Sequence, residues 1–469
     1  MVDRRRTKIV ATIGPVSSTH DAVRALVDAG VDAIRLNLSH GTHEDHAARA
    51  VVVREVQEEV GRPLALIADL QGPKLRIGDL DEPRRLVKDE TIIVVGEQRS
   101  VNGELPVAPA VIGEVLRVGH HILIDDGLVR LVVEEVDGGR TRCRVLVGGE
   151  VKSHKGVNLP GVPLPIPSLT QKDLEDLDFA LRLNVDYVAL SFVRAAADVR
   201  DLQSIIRQHG SPARVIAKIE KAEAVACLGE VISEADAVMV ARGDLGVEIG
   251  AATVPLLQKR IILECLDKGK PVITATQMLE SMVEHAEPTR AEASDVANAV
   301  LDGTSAIMLS AETATGNYPV EAVETMDRIA RAVEPSMGYR HQMPEPGEET
   351  TVGRAMSNAA CDLAEALGAR AILVPTYTGR TASAVARLRP RRPIVGLSHN
   401  QTAVQQMALE WGVTPLLMPE TKNIEDLWSR TLEWARKSGV IDPGDRVVLT
   451  AGTAVNLPGT TNLIKVEVA

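Results

Sequence analysis

Eight short apolar runs, at 8 to 14, 33 to 38, 65 to 69, 187 to 192, 214 to 219, 236 to 243, 271 to 276 and 305 to 310, alternate with amphipathic segments. Each run is too short for a buried helix and too continuously apolar for a strand with one wet face, which is the pattern of parallel strands covered on both sides. The intervening segments, at 21 to 29, 44 to 60, 174 to 183, 199 to 208, 254 to 266 and 290 to 301, space their apolar residues as helices do. Repeated βα units in that number predict a (β/α)8 TIM barrel. The runs end in polar residues: Thr12, Asn37 and Ser39, Asp69, Ser191, Lys218 and Glu220, Asp244, Thr276 and Glu312. The C-terminal ends of barrel strands are where such folds place their chemistry.

The alternation breaks once, after Asp69. From 73 to 167 the pattern turns to short strands, at 91 to 95, 121 to 124, 128 to 135 and 141 to 147, separated by Gly, Asp and Pro turns and closed by a Pro-rich stretch at 159 to 167. That predicts an all-β lid domain inserted in a βα loop. A Gly, Pro and Glu-rich stretch at 344 to 349 reads as a linker. Beyond it, strands at 371 to 376, 394 to 398, 414 to 418 and 446 to 450 with helical segments between them predict a C-terminal doubly wound α/β domain. A chain of 469 residues exceeds what one core supports. The expected division is barrel at 1–72 and 168–340, lid at 73–167 and α/β domain at 341–469.

A formal charge of −12 and an aromatic content of 2% argue against nucleic acid, which is met by basic faces and stacking rings. Anionic small substrates would need local positive charge instead. The N-terminus is charged and lacks a signal-peptide run, and no stretch reaches the length of a membrane span, so a cytoplasmic protein with no membrane contact is expected. Cys143, Cys227, Cys265 and Cys361 are far apart and suggest neither a disulfide framework nor a zinc ribbon.

Lys218-Ile-Glu220 closes one apolar run, and Asp244 follows the next. Two carboxylates and an ammonium then converge at one edge of the sheet. Such a group suits a hard cation beside a lysine that neutralises a phosphoryl group in transfer. The pair of acids alone leaves open an ordinary α/β protein with acids at its strand ends. A Mg²⁺-dependent barrel aldolase or lyase acting on pyruvate enolates would use similar residues. The chain carries neither Gly-x-x-x-x-Gly-Lys-Ser/Thr nor Gly-x-Gly-x-x-Gly, so phosphate binding through a P-loop or a Rossmann turn is not expected. His40, His43 and His46 are spaced as metal ligands could be, but Glu44 and Asp45 beside them fit a polar helix start better than zinc.

Lys8-Ile-Val-Ala-Thr-Ile-Gly-Pro15, Arg35-Leu-Asn-Leu-Ser-His-Gly41, Asp69-Leu-Gln-Gly-Pro-Lys-Leu-Arg76, Ile124-Asp-Asp-Gly127, Gly156-Val-Asn-Leu-Pro160, Lys218-Ile-Glu220, Ala241-Arg-Gly-Asp-Leu-Gly246, Thr274-Ala-Thr-Gln-Met-Leu279 and Met308-Leu-Ser-Ala-Glu-Thr313 resemble the pyruvate kinase family, in family order, from residue 8 onward. The resemblance implies phosphoryl transfer from phosphoenolpyruvate to ADP, giving pyruvate and ATP. It implies Glu220 and Asp244 as ligands of Mg²⁺ or Mn²⁺, and Lys218 and Arg35 on the transferring phosphate. Thr276 would lie near the carbon that is protonated, with a water chain as a further route for the proton. The amides of Gly243 and Asp244 would hold the substrate carboxylate, and Asn37, His40, Arg76 and Lys155 would meet the nucleotide phosphates. Glu312 would support the barrel rim or Lys218. Many members hold K⁺ at the positions of Asn37, Ser39 and Asp69, with a glutamate where this chain has Lys74, so K⁺ is expected not to be required here. In the C-terminal domain Thr376, Thr378, Gly379, Arg380 and Thr381 form a phosphate-cradling turn, whereas the loop at 451 to 459 lacks basic and aromatic residues. The expected effector is therefore a phosphorylated small molecule other than fructose 1,6-bisphosphate, acting on a homotetramer.

Overall fold

The computed structural model describes residues 5–99, 103–338, 351–452 and 461–469. The linker at 344 to 349, the domain junction at 340, and all but the first two residues of the loop at 451 to 459 lie outside the described residues.

The eight expected runs form eight parallel strands: Lys8–Thr12, Ala33–Asn37, Ala65–Asp69, Tyr187–Leu190, Arg214–Ile219, Ala237–Ala241, Val272–Ala275 and Ala306–Leu309. They pair in chain order and close when Lys8–Thr12 meets Ala306–Leu309, so the (β/α)8 expectation holds. Pleating divides each strand between two cores. Val10, Ile67, Tyr187, Ile216, Met239, Ile273 and Met308 fill the barrel interior, while Ile9, Leu66, Val188, Val215, Val238 and Ile307 pack against the outer helices. That double burial is why the runs read as continuously apolar. Helix starts follow their caps: Thr42, Thr170 and Thr289 each accept a hydrogen bond from the backbone three residues on, with Asp45, Asp173 and Glu292 returning one.

Between the third and fourth barrel strands the chain builds a second, seven-stranded closed barrel. Thr91–Val95 and His121–Ile124 lie where expected, and the two longer strands run Val129–Asp137 and Arg140–Val147. Leu75–Ile77, Leu105–Ala108 and Gly156–Asn158 complete it; at three or four residues they are too short for a period of two to register in the sequence. The C-terminal sheet has the order Val413–Leu417, Ile394–Ser398, Ala371–Pro375, Arg446–Gly452, Thr461–Val468, with only the last strand antiparallel. Helices cover both faces: Cys361, Val385 and Met407 pack on Ile372 and Val374, and Leu427, Trp428 and Ala435 pack on Leu373 and Val395.

This sheet domain is seated against the base of the barrel. Ala408 and Leu409 join the interior cluster of the barrel itself. Around them Tyr187 Oη donates to the Gln406 carbonyl at 3.0 Å, Lys8 Nζ to the Val413 carbonyl at 2.8 Å, and the Arg389 guanidinium to the Gly303 carbonyl at 2.7 Å while lying 4.6 Å from the Trp411 ring centroid. Among the described residues no helix is long and apolar enough to cross a membrane.

Candidate active site

Because Ile216 faces inward, the pleat turns Lys218 and then Glu220 inward as well, at the C-terminal mouth of the barrel. Lys218 Nζ lies 2.6 Å from Ser191 Oγ, 3.0 Å from Glu220 Oε1 and 3.2 Å from Asp69 Oδ1. Burial alone would lower the lysine pKa, but Asp69 and Glu220 raise it above the ordinary range, so the ammonium stays charged. Asp69 is shared with Arg35, whose Nε donates to Oδ2 at 2.6 Å while Nη1 donates to Thr12 Oγ1 at 3.0 Å. Burial would raise the Asp69 pKa; Lys218 and Arg35 together hold it below the usual carboxylate value.

Glu220 is anchored from its other side by the Phe192 amide, 2.8 Å from Oε2. Phe192 stands at a φ of 54°, the left-handed region an aromatic residue seldom enters, and that turn aims its N–H at the carboxylate. Burial raises the Glu220 pKa, Lys218 lowers it and Asp244 raises it again; the net direction is upward. Asp244 sits in the first turn of the helix Arg242–Ile249. Lys74 Nζ, from the start of the lid, lies 3.1 Å from Asp244 Oδ1 and 5.9 Å from the Phe192 ring. The monovalent-site reading set Lys74 among Asn37, Ser39 and Asp69; in the structure its ammonium pairs with Asp244, and Asp69 is met by Arg35 and Lys218.

Thr276 adopts a φ of 69° and its Oγ1 accepts from the Gly243 amide at 2.9 Å and donates to the Ala275 carbonyl at 2.7 Å. One of the two amides expected for the substrate carboxylate is therefore engaged with another expected site residue. Arg242, which the motif reading gave no role, fixes this corner by donating to the Thr276 carbonyl at 2.7 Å and to Asp295 at 2.7 Å. Glu312 is fully buried and accepts from the Leu279 and Ser310 amides at 3.1 and 2.7 Å; it supports the rim and does not touch Lys218.

The residues expected at nucleotide phosphates come from both sides of the mouth. Asn37 Oδ1 accepts from the Ser39 amide at 3.2 Å, and the His40 carbonyl meets the His46 ring at 2.8 Å. Burial first, then Arg76, Arg35 and Lys74, lower the His40 pKa, so the ring is neutral in a strongly positive field. Arg76 and Lys155 belong to the lid, where Arg76 donates to the His154 carbonyl at 2.9 Å and Lys155 pairs with Asp125 at 3.0 Å. The three spaced histidines do not converge: His43 pairs with Asp176 at 2.8 Å and stacks on Phe179 at 4.1 Å between centroids.

Glu220 and Asp244 suit a hard divalent ion, for they are two oxygen donors whose proximity already raises one pKa, and Asp244 already attracts one cation, the Lys74 ammonium. No group of three or more His, Cys, Asp or Glu side chains among the described residues is placed to hold a metal. An ion on the pair would complete its shell with substrate oxygens or water.

Far from this mouth, Thr376 Oγ1 accepts from the Gly379 amide at 3.1 Å and Thr381 Oγ1 meets Thr461 Oγ1 at 2.8 Å. Gly379 has a φ of 83°, and a Cβ there would lie 3.0 Å from Met407 Cγ, so the turn requires glycine. Thr376, Thr378, Arg380 and Thr381 line a cavity of about 990 Å³ whose opposite wall is the base of the barrel.

Residues 4–323 match the family model described as pyruvate kinase, barrel domain, and residues 354–467 match the one described as pyruvate kinase, alpha/beta domain. The chain is 43% identical to a pyruvate kinase of Corynebacterium glutamicum over 99% of its own length and 97% of that relative. It is 42% identical to a pyruvate kinase of Geobacillus stearothermophilus, covering 99% of this chain and 80% of the relative, and 40% identical to one of Clostridium acetobutylicum, covering 99% of each.

Proposed function

The chain belongs to the pyruvate kinase family, and from that premise we propose how its residues carry phosphoryl transfer from phosphoenolpyruvate to ADP. The observation that carries the reading is the Lys218 ammonium, held within 3.2 Å of Asp69, Glu220 and Ser191 with Arg35 on the same aspartate. Such a transfer asks for fixed positive charge on the phosphoryl oxygens more than for a nucleophile. Lys218 and Arg35 supply it, and their carboxylate partners keep both side chains from reorganising as the charge moves. A divalent ion on Glu220 and Asp244 would add Lewis-acid stabilisation of the enolate and phosphoryl oxygens.

The remaining roles follow from placement. Thr276 holds its hydroxyl at the edge of the same mouth, where it orders water for proton delivery to the enolate carbon; as an acid the hydroxyl itself is too weak. Asp244 N–H, at a helix N-terminus, offers a donor to the substrate carboxylate. Arg76 and Lys155 bring lid cations to the nucleotide phosphates, facing Asn37 and His40 on the barrel.

A coupled assay of ATP formed from phosphoenolpyruvate and ADP tests the activity, and Lys218→Met tests the assignment. The variant should lose on the order of 10²-fold in kcat, the scale of one preorganised electrostatic group. Near-parental turnover in a folded variant would overturn it.

K⁺ is not required on this reading. Asp69, the carboxylate of the monovalent position, already meets two fixed cations, and the Lys74 ammonium stands at the same mouth on Asp244. Turnover in tetramethylammonium buffer should match that with K⁺, and Lys74→Glu should create K⁺ dependence. A large activation of the parent by K⁺ would count against this reading.

The C-terminal turn is read as the regulatory site of a cytoplasmic homotetramer. Its hydroxyls, amides and the Arg380 guanidinium suit one phosphate. Activation by a monophosphate, lost in Arg380→Ala, is the expected outcome in substrate saturation curves.

A further inference from the structure

The strand that carries Lys218 and leads into Glu220 begins at Arg214, on the opposite face of the barrel. At about 3.3 Å per residue the arginine lies roughly 13 Å from the lysine along one continuous strand. Its Nη2 donates to the Thr378 carbonyl, in the turn of the C-terminal domain, at 2.5 Å. Tyr187, Glu410 and Asp236 stabilise the charge of the guanidinium, and the Lys270 ammonium also lies within its field. Asp236 accepts from the Val215 amide of the same strand at 3.0 Å, and Glu410 accepts from Ser383 Oγ, on the helix that follows the turn, at 2.5 Å. Arg214 is therefore bonded to the turn directly and faces, through Glu410, the helix beyond it.

The adjacent strand repeats the arrangement. Tyr187 pairs in register with Arg214, and its hydroxyl donates to the Gln406 carbonyl at 3.0 Å, while Gln406 Nε2 donates to the Pro212 carbonyl at 3.0 Å. At their far ends the two strands are tied to each other: Ser191 bonds Lys218, and the Phe192 amide bonds Glu220. Two neighbouring strands are thus clamped to the C-terminal domain at the base and hold the site's lysine and glutamate at the mouth. The same cavity of about 990 Å³ exposes Arg214, Thr378, Arg380 and Gln406, so an occupant of the cavity touches the clamp itself.

We propose that Arg214 is a positioning residue for Lys218 and Glu220: it seats their strand on the 376–381 turn, and a ligand that moves the turn moves the strand with it. The regulatory half of this proposal rests on the reading that the turn takes a phosphate. The positioning half does not. A change in the turn is transmitted because the strand is held on both sides by parallel neighbours and almost wholly buried, so a strain at its base is passed along it and not absorbed by bending.

Arg214→Met and Arg214→Lys, measured for phosphoenolpyruvate saturation and melting temperature without effector, separate positioning from simple support. The methionine variant should raise half-saturation about three- to tenfold, the range expected for a residue that couples distant sites, with a smaller change in kcat. Lysine, which keeps the charge and one donor toward the Thr378 carbonyl, should recover part of the loss. Gly379→Ala, which displaces the turn while leaving the arginine in place, should shift half-saturation in the same direction. A folded Arg214→Met variant with a lower melting temperature and unchanged half-saturation would overturn the proposal, as would an unchanged half-saturation in both Arg214→Lys and Gly379→Ala. The curves are then repeated with AMP and with glucose 6-phosphate. A response in the parent that vanishes in Arg214→Met supports the regulatory half; an equal response in both overturns it. If neither compound moves the parent, the phosphate reading of the turn fails, while the effector-free comparison still decides the positioning role.

Discussion

His40 shows how a single residue reports the field it stands in. Its pKa lies below the ordinary value of 6.5, first through burial and then through Arg76, Arg35 and Lys74. The unfolded chain therefore takes up a proton at a higher pH than the folded one, so the stability tied to this group is complete above pH 6.5 and is lost as pH falls from there toward the folded pKa. His40→Gln should flatten that loss without abolishing it, because His46, lowered chiefly by burial, contributes in the same window. Urea midpoints of parent and variant at pH values on both sides of 6.5 check the sign; a steeper acid limb in the variant would contradict it. At this scale the sequence was informative where a side chain ended an apolar run: Asp69, Ser191, Lys218, Glu220 and Thr276 were all visible as polar residues at strand ends, and Lys218 is found bonded to three of them. Phe192, Arg214 and Arg242 were not visible. Their work is done by an amide or by a guanidinium bonded to carbonyls far along the chain, and neither leaves a mark on local composition.

Elements were legible in proportion to their length and burial. The barrel strands declare themselves because both faces are covered, whereas the lid strands of three or four residues and the half-exposed edge strand Thr461–Val468 carry too little periodicity to be seen. Helix starts were less exact than helix existence: 174 to 183 was expected, and the helix runs Gln171–Arg182 because Thr170 and Asp173 form its capping box. The box at Thr289 and Glu292 does more, since the Glu292 carboxylate also accepts from the Ser281 amide at 2.7 Å and so ties the loop after the seventh barrel strand to the following helix. Thr289→Ala should cost about 1 kcal/mol of stability by denaturant titration. Glu292→Gln should cost less if the cap matters alone and more if the loop tie matters too, because its pKa is held down by hydrogen bonds from Ser281 and Thr289 against the effect of burial.

Across the whole molecule the largest feature absent from the sequence pattern is the seating of one domain inside another. Leu409 is fully buried in the barrel's interior cluster although it belongs to the C-terminal domain. Leu409→Ala should cost about 2–5 kcal/mol, as for a buried leucine whose cavity cannot collapse. Because the vacated space lies under the barrel, the variant should still unfold in one calorimetric transition at a lower temperature; a split into two transitions would show that the leucine had been the link. No hydrophobic pattern could have announced this residue, since the cluster it joins is built from Val10, Tyr187 and Met308, on strands a hundred or more positions away.

That arrangement sets a rule for anyone recombining these domains. Ala408 and Leu409 are packed against barrel residues, Trp411 lies 5.7 Å from the Arg6 guanidinium, and Lys8 and Tyr187 reach back to carbonyls of the same region. A chimera that grafts a foreign C-terminal domain at the linker would carry a mismatched plug into the barrel's floor. A graft that keeps residues 401 to 413 with the parental barrel, and exchanges only what surrounds them, preserves the floor and leaves the donor's ligand preference as the variable under study.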